Sequence, residues 1–107
     1  MIDLSANDAY NLIKEKKDVI ILDVRTKDEF NDGHLENAKC FPLGRIDMDL
    51  DELYGYEDTP ILVYCERGGR SFQASEVLEN NGFNNIYNML GGYTSWVNAS
   101  FNKNNRG

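Results

Sequence analysis

Cys65 closes the apolar run Ile61-Leu62-Val63-Tyr64 and opens the segment Glu66-Arg67-Gly68-Gly69-Arg70, after which the spacing predicts a helix from about Ser71. A cysteine at the first position of a strand-to-helix loop meets amides that can turn inward and the positive end of the following helix, and both favour its thiolate. Gly68 and Gly69 permit the backbone conformations that gather successive N–H groups round one centre into an anion-binding nest, and Arg67 and Arg70 add full positive charges. A thiol in such a setting is a nucleophile near neutral pH. The bland alternative is a small apolar residue ending a buried strand. The coincidence of a strand before, a helix after, paired glycines and two arginines favours chemistry.

Other chemistry-bearing residues carry weaker signals. Asp23 and Arg25 follow a second apolar run and read as an acid and base pair or as structural partners of neighbouring loops. His34, the one histidine, follows Gly33 and reads as a hydrogen-bonded turn residue. Cys40, beside Phe41, reads as a buried strand residue, although a disulfide relay with Cys65 is the sharper alternative. Glu66 places a carboxylate directly after the nucleophile; it either opposes anion binding or points outward as a solvated loop charge. Arg45 follows the second strand, and its spacing does not connect it to the loop.

The elements that must position these residues alternate. Ser5 caps a surface helix carrying Ala6, Ala9, Tyr10 and Ile13 on one face. Val19 to Leu22 is a β-branched apolar run of the kind buried on both faces of a parallel sheet. Thr26 and Glu29 have capping-box spacing for a short helix closed at Gly33. Ala38 to Leu43 predicts a strand ended by Pro42 and Gly44, and the acidic stretch 47–58 an exposed short helix plus loop. Ile61 to Tyr64, the helix from Ser71 to Asn81-Gly82, a strand over 85–90 and a last helix over 93–97 follow, with Tyr93 and Trp96 packing that helix. Alternating strands and helices give an α/β fold of three α/β/α layers with a mainly parallel central sheet, and ligands bind beyond the carboxyl ends of its strands. Asp23-Val24-Arg25 and the Cys65 loop both lie at such ends.

The 107 residues suit one domain, expected over 1–101, with a polar tail at 102–107. A net charge of -7 argues against nucleic-acid binding and means that any anion site is built from local groups. Two thiols and no signal-like or membrane-length apolar segment point to a reduced, cytoplasmic protein. Two cysteines and one histidine make no metal-ligand set, and no cofactor is implied.

The chain resembles the rhodanese family. Leu22-Asp23-Val24-Arg25 with Glu29-Phe30 and Gly33-His34 is similar to the family's first signature, Val63-Tyr64-Cys65 through Arg70-Ser71 to its active loop, and Gly91-Gly92-Tyr93 with Trp96 to its closing motif. The resemblance implies a sulfurtransferase in which Cys65 takes the outer sulfur of thiosulfate or a related small anion as a persulfide and yields it to cyanide or a thiol. It implies that Glu66, Arg67, Gly68, Gly69 and Arg70 bind the substrate, with Asp23, Arg25 and Ser71 in support. A binding or regulatory module, or a carrier delivering sulfur to one protein acceptor, are the other readings it allows. Four residues between Cys65 and Arg70, against five in phosphatases on related folds, and Tyr64 in place of the histidine before the phosphatase cysteine, set phosphatase and arsenate reductase chemistry aside.

Overall fold

In the computed structural model, which describes residues 1–99, five parallel strands form one sheet between two helical layers. The strands are β1 (Ile2–Leu4), β2 (Ile20–Asp23), β3 (Lys39–Cys40), β4 (Ile61–Tyr64) and β5 (Ile86–Met89). The α-helices are α1 (Ala6–Glu15), α2 (Lys27–Asn31), α3 (Ile46–Asp49), α4 (Gly69–Asn80) and α5 (Gly92–Asn98). Residues 100–107, and with them the tail expected at 102–107, lie outside the described residues. None of the described helices is long and apolar enough to cross a membrane.

Strand order is β1-β5-β4-β2-β3. The chain therefore leaves β2 toward one edge of the sheet and leaves β4 toward the other, so the connections after these two neighbours diverge. Open parallel sheets place their ligands at such a point, beyond the carboxyl ends of the strands. Register pairs Asp23 with Tyr64 there. It sets Asp23-Val24-Arg25 beside Cys65 although about forty residues separate them in sequence.

The twofold alternation of β4 divides the core. Ile61, Val63 and Cys65 face α3 and α4 with Leu22, Ile46, Leu50, Leu53, Ala74 and Leu78, whereas Leu62 and Tyr64 face α1 and α5 with Ile21, Ala6, Ala9 and Trp96. Cys65 thus points toward the N-terminal turn of α4, and Tyr64 beneath the loops of the other layer.

Local signals explain most boundaries. The Ser5 hydroxyl accepts the Asp8 amide at 3.1 Å to cap α1. At α2 the Thr26 hydroxyl accepts the Glu29 amide and the Glu29 carboxylate accepts the Thr26 amide, a complete capping box. Three elements differ from the sequence reading. β1 was not foreseen: three residues on a sheet edge, two of them exposed, carry no period, and the ladder to Tyr87, Asn88 and Met89 defines them. β3 shrinks to two residues because Pro42 has no amide to donate; the chain still runs beside β2, with Phe41 N–H donating to Asp23 O at 2.8 Å and Leu43 N–H to Val24 O at 3.0 Å. The acidic segment is not simply exposed: its Leu50 and Leu53, together with Ile46 just before it, are buried in the core while Asp47, Asp51, Glu52 and Asp58 are exposed.

Candidate active site

The site is a loop wound round one sulfur. Cys65 is 1% exposed, and its Sγ accepts the Gly68 amide at 3.0 Å. Gly68 has φ +129°, a conformation L residues rarely adopt, and this turns the chain from β4 into α4. Ser71 Oγ lies 3.5 Å from the sulfur and donates to Gly68 O at 3.1 Å. The thiol donates to that hydroxyl; the thiolate, an acceptor only, accepts a hydrogen bond from it instead. Burial pushes the Cys65 thiol up, but the Ser71 hydroxyl and the amides of Ser71, Gly68 and Arg67 outweigh it and hold the thiol below its ordinary value.

The inward turn of those amides is fixed from α5. Tyr93 N–H donates to Cys65 O at 2.8 Å, and Thr94 N–H to Glu66 O at 3.1 Å. In a trans peptide the N–H points opposite to the C=O, so binding the Glu66 carbonyl to α5 drives the Arg67 N–H toward the sulfur. Gly92 permits the approach: with φ +58°, a Cβ there would fall against the Cys65 carbonyl oxygen and lie 2.6 Å from the carbonyl carbon and oxygen of Glu66. Gly92, Tyr93 and Thr94 thus shape the loop; the sequence reading placed Gly92 and Tyr93 in a closing motif, read them as a turn and packing, and made nothing of Thr94.

A buried polar network supports the loop from below. Asp23 and Arg25 are 0% and 2% exposed. Arg25 Nε and Nη2 donate to the Asp23 carboxylate at 3.0 and 2.7 Å, and Nη2 also donates to Gly33 O at 2.6 Å. Tyr64 OH donates to Asp23 Oδ2 at 2.6 Å and accepts the Leu35 amide at 3.1 Å. The Tyr93 ring covers the guanidinium at 4.5 Å. Burial works against the Arg25 charge, and the hydrogen bonds and charge of Asp23, then of Glu66, more than offset it. The pair ties β2, β4, α2 and α5 together.

The loop's charged residues are distributed differently from the sequence reading. Glu66 is not a free solvated loop charge: its carboxylate, 38% exposed, accepts Arg25 Nη1 at 3.0 Å and the Thr94 hydroxyl at 2.9 Å. Arg70 is held by Glu29 through two bonds, at 2.7 and 3.0 Å. The Arg70 hydrogen bond is the main cause that lowers the Glu29 carboxyl to about 2. Sequence alone gave Glu29 only its capping role. Arg67 is exposed and makes no ion pair or hydrogen bond through its side chain among the described residues.

The remaining candidates lie apart. Phe41 packs in the α3 and α4 layer, so Cys40, its neighbour on β3, points to the other face of the sheet from Cys65. Burial, then the Asp23 charge, raises the Cys40 thiol, which makes it a poor resolving nucleophile. His34 is exposed, its Nδ1 is 2.8 Å from Phe30 O, and its ring stacks on Phe30. Exposed Arg45 is spent on Asp49, four residues on. Among the described residues no group of three or more His, Cys, Asp or Glu is placed to hold a metal ion.

The model of the rhodanese-like domain matches residues 5–99. The chain belongs to the rhodanese-like domain family. It is 30% identical over 93 residues to the thiosulfate sulfurtransferase GlpE of Coxiella burnetii, covering 87% of this chain and 84% of that protein. It is 36% identical over 76 residues to the uncharacterised protein YqhL of Bacillus subtilis, of whose length the match spans 59%. The crystal structure of a rhodanese-like domain protein from Staphylococcus aureus superposes with a TM-score of 0.81 at 32% identity, over 90% of this chain and 91% of that one. The rhodanese-like α/β architecture with its parallel central sheet is therefore as the sequence reading expected, and only the fifth strand, β1, adds to it.

Proposed function

We propose that this rhodanese-like domain is a sulfurtransferase that carries sulfane sulfur as a persulfide on Cys65. The observation that carries the reading is the sulfur's setting: Cys65 Sγ accepts the Gly68 amide at 3.0 Å inside a loop whose amides and Ser71 hydroxyl lower the thiol against the effect of burial. The relatives named for sulfur transfer support it.

In the first half-reaction the Cys65 thiolate attacks the outer sulfur of a donor such as thiosulfate. The Sγ–S bond forms, the donor S–S bond breaks, and its electron pair leaves with sulfite. The amides that favoured the thiolate remain to hydrogen-bond the persulfide anion, so little reorganisation separates the two states. In the second half-reaction cyanide or a thiolate attacks the terminal sulfur, and the Cys65 thiolate departs into the same amides. Glu66 to Arg70 form the walls that the donor meets, while Asp23, Arg25 and Ser71 hold the loop in shape. No metal or cofactor enters this chemistry. The acceptor is a small thiol or a protein thiol, and the two free thiols suit a reducing, cytoplasmic setting.

Intact-mass spectrometry tests the reading. The protein is treated in turn with thiosulfate and with cysteine hydropersulfide, then with cyanide. Expected is a gain of one sulfur atom on Cys65 from at least one donor, its removal by cyanide as thiocyanate, and no gain in Cys65→Ser. A Cys65 left as free thiol by both donors would turn the reading to a binding module.

A further inference from the structure

The cations that a strand-to-helix loop offers to an incoming anion are largely taken. Arg70 is clasped through two nitrogens by Glu29, and Arg25 is shared between buried Asp23 and Glu66. The Thr94 hydroxyl holds the other oxygen of Glu66, which fixes that carboxylate beside the backbone of the nucleophile. Around the sulfur the three guanidiniums of Arg25, Arg67 and Arg70 are matched by three carboxylates, Asp23, Glu29 and Glu66, and the whole chain carries -7. Only Arg67, exposed and without a side-chain partner among the described residues, can turn toward a ligand. The amides remain, but among the described residues the loop adds to them no unpaired guanidinium besides Arg67 to meet the second charge of a dianion.

From this the geometry points to a donor class: the site takes sulfur from the hydropersulfide of a thiol, R–S–SH, in preference to thiosulfate dianion, and Glu66 is the residue that sets the preference. The inference rests on the sulfurtransferase reading and names the substrate class of the same site. The step balances without a co-reactant. Cys65 thiolate attacks the terminal sulfur, the Sγ–S bond forms, and the R–S bond to that sulfur breaks. Its electron pair stays on the thiolate R–S⁻, which takes the hydropersulfide proton and leaves as R–SH. Cys65–S–S⁻ remains, and the amides of Arg67 and Gly68 face it. No group in this sequence carries a second negative charge into the loop, whereas thiosulfate would bring its charged sulfonate face against Glu66.

Single-turnover loading of Cys65 is followed with thiosulfate and with cysteine hydropersulfide, in the wild-type chain and in Glu66→Gln, at low and moderate salt. The amide of Gln keeps hydrogen-bonding capacity toward Arg25 and Thr94 and removes one charge. Wild type is expected to load from the hydropersulfide at least tenfold more efficiently than from thiosulfate. Glu66→Gln is expected to raise the efficiency with thiosulfate about tenfold, through half-saturation, as removal of one unit charge near a dianion implies. Wild-type loading from thiosulfate is expected to accelerate with salt, because screening weakens repulsion over about 10 Å at 0.1 M. Preference for thiosulfate, slowing of that reaction by salt, or a Glu66→Gln variant with unimproved thiosulfate half-saturation overturns the inference. The salt series needs no variant and decides the matter if Glu66→Gln misfolds. Loading from thiosulfate alone would overturn the donor class and keep the sulfurtransferase; loading from neither would overturn both.

Discussion

Gly92→Ala tests the idea that α5 shapes the nucleophile loop. The new Cβ would fall against the Cys65 carbonyl oxygen and come within 2.6 Å of the Glu66 carbonyl carbon and oxygen, which are backbone and cannot rotate aside as a side chain would. Forcing an L residue into φ +58° adds about 1 kcal/mol, and the overpacking about 1–3 kcal/mol, for a loss of about 3 kcal/mol. Relief requires the loop to retreat from α5, which lengthens the Tyr93 to Cys65 and Thr94 to Glu66 bonds and turns the Arg67 amide off the sulfur. Stability and reactivity should therefore fall together. Urea unfolding reads the first, and the pH dependence of alkylation of Cys65, in a Cys40→Ser background, reads the second. Gly44→Ala is the control, since nothing lies within 4 Å of a Cβ there and no left-handed backbone is involved. A Gly92→Ala protein within ~1 kcal/mol of wild type and with an unchanged alkylation midpoint would refute the argument, because measured change from even one methyl group in a packed site is larger than that.

Three further outcomes follow from the same geometry. Ser71→Ala should move the Cys65 alkylation midpoint upward, because burial then works against the thiolate with one donor fewer; an unmoved midpoint would leave the lowering to the amides alone. Tyr64→Phe leaves the buried Leu35 amide without its acceptor and takes one donor from the Asp23 carboxylate, which keeps Arg25, and should cost about 2 kcal/mol in urea unfolding with the sheet intact by circular dichroism. Glu29 has a folded value of about 2 against an ordinary 4.5, so its stabilisation is complete above the unfolded value and is lost as pH falls from about 4.5 through about 2. Glu29→Gln should flatten that part of the stability profile, and a profile as steep as wild type would separate Glu29 from Arg70.

The parts of this molecule legible in sequence are those whose information is local. The run Ile61 to Tyr64 announces a strand buried on both faces, Thr26 and Glu29 announce a capped helix three residues apart, and Cys65, Gly68 and Ser71 announce a strand-to-helix loop about a thiol. Where two signals compete on one residue, the local one hides the other: Glu29 is fully accounted for by the capping box, and nothing near it in sequence suggests Arg70. Edge strand β1 lacks enough residues to show a period, and its existence depends on β5 being there to pair with.

The strand-to-helix loop about Cys65 and the class of fold around it thus reside in the sequence by itself, because periodicity, capping and glycine placement act over a few residues. The assignment of each carboxylate to its guanidinium does not. Asp23 to Arg25 is a pair two residues apart, but Arg25 to Glu66 and Arg70 to Glu29 each span 41 residues. They meet because β2 and β4 lie side by side and their connections diverge beyond Asp23 and Tyr64. Charge balance at the sulfur is a property of that strand order, and tertiary structure alone decided that Arg25 and Arg70 are already engaged.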